Sequence, residues 1–118
     1  METRYEMEHQ ISLINSTLES LYERLNNYIK VRNKINWTIL YYEDRLKHHN
    51  YHSHRPTPAE MSEKLLRLYD RRDEVQAKIC LCRRDIEHLQ YELNTLRSID
   101  RSMWDYKESV DNIAKYLF

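Results

Sequence analysis

INWTILYYEDRL, residues 35–46, decides how the whole chain reads. Its seam residues Ile35, Ile39, Tyr42 and Leu46 follow one another in steps of four, three and four, the spacing of a helix that buries one narrow stripe against another helix. Towards the N-terminus the same steps continue through Tyr28, Leu25, Leu21, Leu18, Ile14, Ile11 and Met7, broken only by Arg32. Towards the C-terminus they stop at RPTP, residues 55–58, and resume at Met61, Leu65, Leu68, Val75, Ile79, Cys82, Ile86, Leu89, Leu93 and Leu96, broken only by Arg72.

The chain has 118 residues, no glycine and two prolines, both of them in RPTP, so the residues that normally punctuate loops occur at one place. One major turn follows. Thr3 with Glu6, and Thr57 with Glu60, have the spacing of capping boxes, and Pro58 stands at a first helical position where its missing N–H costs nothing. Arg45 and Lys47 suit the C-terminal end of a helix dipole. The sequence therefore predicts helix 1 at about 4–49, a tip loop at about 50–57 and helix 2 at about 58–97, within a single helical domain spanning 1–118.

If the helices fold back on one another, facing positions have a constant sum. Leu46 with Met61, Tyr42 with Leu65, Ile39 with Leu68, Leu25 with Cys82 and Ile11 with Leu96 all add to 107. The expected fold class is all-α, a long antiparallel coiled-coil hairpin, with a first helix ~65 Å long at ~1.5 Å per residue. Beyond Leu96 the frame slips to Ile99, Met103, Tyr106, Val110, Ile113 and Leu117, which suggests a C-terminal third helix at about 99–117, with Ser98, Asp100 or Ser102 as caps. Position 103 faces position 4, so later residues either fold back as the third helix of a bundle or form a dimerising extension.

Several residue groups invite a functional reading. HHNYHSH, residues 48–54, gathers His48, His49, His52 and His54. Their place beside the prolines favours a solvated tip over a metal site or a pH-sensitive contact, and no metal or other cofactor is expected. Cys80 and Cys82, two apart on a helix, point away from each other and are expected as free thiols, buried or half-buried. Arg32 faces Val75 and Arg72 faces Ile35, making a polar layer that either reaches water along its stems, with Asp73 or Glu74 beside Arg32, or sets register against a partner. A third possibility is a grip on an anionic small ligand.

Off the seam, Trp37, Leu40 and Tyr41 form a second apolar stripe, with Leu66, Ala77 and Leu81 a weaker counterpart on helix 2. Either the third helix covers these stripes or they are an interface, together with Trp104, Val110, Ile113, Leu117 and Phe118. Charge is segregated although it sums to zero. Residues 1–23 carry one Lys or Arg against five Asp or Glu, 24–42 four against none, 43–64 four of each, 65–84 six against three and 85–118 four against seven. An acidic base and a basic belt result, and a staggered second copy or another acidic partner suits the belt. Nucleic acid is the competing occupant, through Lys64, Arg67, Arg71 and Lys78, although Asp70, Asp73 and Glu74 interrupt that stripe.

No phosphate-cradling loop, paired-carboxylate site or Ser/His/Asp arrangement can be argued from these residues. The sequence thus predicts a non-enzymatic interaction or assembly protein, a homo-oligomer or a subunit of a complex, acting by helix-to-helix docking. With no apolar run near the ~18 residues of a membrane span and no signal-like N-terminus, it is expected to be soluble and intracellular, cytoplasmic or nuclear.

Overall fold

The computed structural model describes residues 4–48 and 57–117; from 103 onward it describes side chains for Val110 and Ile113 only. The described residues form two α-helices and no strand: α1, Arg4–Lys47, and α2, Pro58–Leu117. The start of α2 is fixed as its sequence requires. The Thr57 amide donates to Glu60 Oε2 at 3.3 Å, and the Glu60 amide donates to Thr57 Oγ1 at 3.2 Å, so the capping box is reciprocal around Pro58. α1 ends two residues before the expected 49, where the His48 amide closes a last bond on the Asp44 carbonyl at 3.0 Å. Thr3 of the other expected box lies outside the described residues.

The separate third helix is not present. α2 runs unbroken from Pro58 through Ser98, Asp100 and Ser102 to Leu117. The physical reason is that a stammer rotates the apolar stripe round a helix without interrupting its backbone, and residues 97–117 contain no glycine or proline to stop it. Ser and Asp side chains can compete for nearby backbone groups, but here the helical bonds win.

The chain divides into two compact units. One, the turn unit, is Glu23–Arg83; the other, the terminal unit, joins Met1–Tyr22 with Arg84–Phe118. In the turn unit Ile35, Ile39, Leu65, Val75 and Ile79 form a buried cluster, with Leu25, Tyr28, Tyr42, Leu46 and Leu68 packed half-buried against it. In the terminal unit Met7, Leu18, Leu21, Ile86 and Leu93 are buried. All belong to the seams, and the cross-helix bonds sit on the same register: Arg32 meets Gln76, one residue past the Val75 expected opposite it, and Lys64 meets Tyr42, one short of Leu65.

Labelling the seam in heptads puts Arg32, Ile39, Leu65, Arg72 and Ile79 at a, and Ile35, Tyr42, Leu68 and Val75 at d. Positions e and b then line one flank of the pair, g and c the other. Ile79 is fully buried, whereas Leu66, at b, is 65% exposed. Ile79→Ala should therefore cost about 2–5 kcal/mol in denaturant unfolding. Leu66→Ala, in the same experiment, should stay within about 0.5 kcal/mol of wild type.

Candidate helix-docking surfaces

The two seam arginines are built into side-chain contacts of the turn unit. Arg32 Nη1 donates to Gln76 Oε1 at 3.3 Å, not to Asp73 or Glu74. Gln76 is the e residue directly beside Val75, while Asp73 and Glu74 occupy b and c, farther round the helix. Arg72 lies over the Tyr69 ring, 5.1 Å from its centroid, with its Nε 3.6 Å from Asp73 Oδ1. Tyr69 in turn donates its hydroxyl to Glu43 Oε1 across the helix pair at 2.6 Å. The layer thus reaches water through its side chains: Arg72 remains 39% exposed, and no described polar or charged residue is fully buried.

The Glu43 hydrogen bond, reinforced by reduced hydration and by repulsion from the same carboxylate, raises the Tyr69 phenol above its ordinary value; the Arg72 cation opposes the shift. A phenol with a raised folded pKa stabilises the fold fully below the ordinary value of about 10 and loses that contribution as pH climbs through the raised one. Neither this lock nor its counterpart in the terminal unit, where Gln90 Nε2 donates to the Tyr22 hydroxyl, was evident from the seam pattern. Both are e-to-e pairs, and aligning e positions in the 107 register is the signal that finds them.

The apolar stripe stands open. Trp37 is 73% exposed and Leu40 and Tyr41 are each 55% exposed; Leu66 and Leu81 are exposed on α2. Tyr41 packs edge-on against Tyr42, and its hydroxyl accepts from Arg45 Nη1 at 2.8 Å. In the C-terminal segment Val110 and Ile113 are also exposed. The side chains of Trp104 and Leu117, and the whole of Phe118, lie outside the described residues.

Of the histidine cluster, His48 is described: its Nδ1 lies 3.2 Å from Asp44 Oδ1 on the preceding turn. His49, His52 and His54 lie outside the described residues. Among the described residues no group of three or more His, Cys, Asp or Glu is arranged to hold a metal ion. Neither Cys80 nor Cys82 is in a disulfide, and Cys82 is buried; Cys80, expected to be at least half-buried, is exposed because it occupies a b position. Lys64, Arg67, Arg71 and Lys78 are all exposed, with Arg67 paired to Glu63 at 2.8 Å.

Compared with known proteins, the chain matches no family model, and no curated protein or solved structure is significantly similar to it. No described helix is long and apolar enough to cross a membrane.

In an alkaline titration followed by tyrosinate absorbance, Tyr69→Phe should remove a phenol that ionises later than an ordinary tyrosine. A curve that loses only ordinary amplitude contradicts the Glu43 lock.

Proposed function

We propose that this chain is a non-enzymatic assembly protein that docks by helix faces, to a second copy of itself or to a partner subunit. The exposed stripe of Trp37, Leu40 and Tyr41 carries this reading. A two-helix pair has one buried seam, so a tryptophan and its apolar neighbours held outside it are surface that a further helix can cover. The C-terminal residues of the sequence, Trp104, Val110, Ile113, Leu117 and Phe118, supply the second docking element in the form of a dimerising extension. The contacts of Arg32 and Arg72 support a role for that layer in holding register, since a slip of either helix would part Arg32 from Gln76 and Tyr69 from Glu43.

The exposed stripe of Lys64, Arg67, Arg71 and Lys78 favours a second reading, association with nucleic acid through phosphate contacts. Such binding weakens steeply as salt rises and depends on Arg67 and Arg71.

Molar mass measured in solution at two concentrations, on the full chain, on a chain ending at Arg101 and on Trp37→Ser, tests the docking reading. Loss of an aromatic anchor should weaken association about 30-fold, the effect of a 2 kcal/mol hot spot, while leaving helicity unchanged. Association and partner capture that survive both changes intact would sink it.

A further inference from the structure

The two flanks of the helix pair are not alike. On the e flank, charges balance and side chains answer one another across the pair: Tyr69 with Glu43 in the turn unit, Gln90 with Tyr22 in the terminal unit. The g flank carries one such bond, from Lys64 to the Tyr42 hydroxyl, and its charges are segregated by unit. In the turn unit, g carries Arg24, Arg45, Lys64, Arg71 and Lys78 and no acid. In the terminal unit, g carries Asp85 and Glu92 and no Lys or Arg. In the turn unit, Arg45 and Lys64 are like-charged neighbours across the pair, whereas in the terminal unit Asp85 and Glu92 stand opposite the uncharged Thr17 and Gln10.

Arg45 and Lys64 are held over the rings of Tyr41 and Tyr42, at 5.5 and 5.3 Å from the centroids, and their charge faces solvent. Apolar residues stand beside both sets of charges. Val31, Tyr41 and Leu81 are exposed at g and c positions of the turn unit, and Leu13 and Ile99 at those of the terminal unit. On the terminal unit these positions open into a groove of about 460 Å³ whose lining includes Leu13, Tyr91 and Glu92.

We propose that the chain self-associates through its g flanks, with the cationic g flank of one copy's turn unit lying on the acidic, grooved g flank of another copy's terminal unit. This rests on the docking reading above and names its partner and its face. Charges of one sign on each unit's g flank become complementary between copies, and the apolar residues beside them are covered in the same contact. When each turn unit takes the other copy's terminal unit, two chains close as a two-fold pair.

Reversing one sign at a time tests the proposal on full-length chains. Arg71→Glu with Lys78→Glu makes one variant, and Asp85→Lys with Glu92→Lys the other; all four positions are exposed, so the helices should be unaffected, as circular dichroism checks. The wild type should approach twice 14.7 kDa in light scattering at sufficient concentration, and less so as salt is raised. Each variant alone meets like charge where positions 71 and 78 of one copy lie against 85 and 92 of the other, and its midpoint concentration should rise about tenfold or more. An equimolar mixture of the two meets opposite charge where those four positions touch between unlike chains, so association should return.

A monomeric wild type at every concentration overturns the proposal. So does a wild type that stays monomeric while its cationic flank binds short duplex DNA. Variants that associate as well alone as the wild type overturn the g flank while leaving docking through Trp37 and its neighbours standing.

Discussion

Each helix of this chain has one long apolar seam, and within each unit the two seams are buried against each other. In the turn unit the result is a core one layer deep, Ile35, Ile39, Leu65, Val75 and Ile79, flanked at once by residues in contact with water. At roughly 1.5–3 kcal/mol for each fully buried aliphatic side chain, such a layer gains stability in proportion to its length and has no interior in which to hide a charge. That is why Arg32 and Arg72 can break the seam: the layer is thin enough for their guanidinium groups to reach Gln76, Tyr69 and the solvent. It is also why anything apolar outside the seam, Trp37 above all, stays exposed.

The seam was legible in the sequence because its period, its caps and its facing sums are independent signals that agree. Thr57, Pro58 and Glu60 start α2 where their chemistry requires, and the buried residues are those that the three-four spacing selects. The third helix was misread because a change of hydrophobic phase at Leu96 looks, in sequence, like an end. Periodicity reports which face is apolar, whereas only glycine, proline or a cap reports where the backbone stops, and none of these ends α2 near Ser98. Arg32 found Gln76 and not an acid because flank geometry, e against c, outweighs charge when a side chain must lie along its neighbour. The Tyr69–Glu43 lock pairs residues of no obvious affinity, so only the register exposes it.

The exposed apolar and charged faces were legible as composition and less so as geometry. Trp37, Leu40 and Tyr41 stand out as apolar residues off the seam, and all three are exposed in the structure. Charge told the same story more coarsely. Counting along the chain shows a basic belt and an acidic base, but only the heptad positions reveal that the charged g residues are all basic in the turn unit and all acidic in the terminal unit. Of the exposed apolar residues, Val31, Tyr41 and Leu81 share g and c positions with the basic residues of the turn unit, whereas Leu40 and Leu66 lie at b.

The antiparallel register underlies all of this, and distances between spin labels measure it most directly. One label replaces Trp37, and the other replaces in turn Glu63, Asp70 and Ala77, all exposed f positions of the turn unit. The background is Cys80→Ser with Cys82→Ala, and the labelled chain is diluted in unlabelled chain so that only distances within one molecule are read. Each seven-residue step moves the second label about 10.5 Å along α2 at 1.5 Å per residue. The account predicts the shortest distance at Asp70, whose position with Trp37 sums to 107, and longer distances at both Glu63 and Ala77. A minimum at either of those, or the absence of any short intramolecular distance, contradicts it.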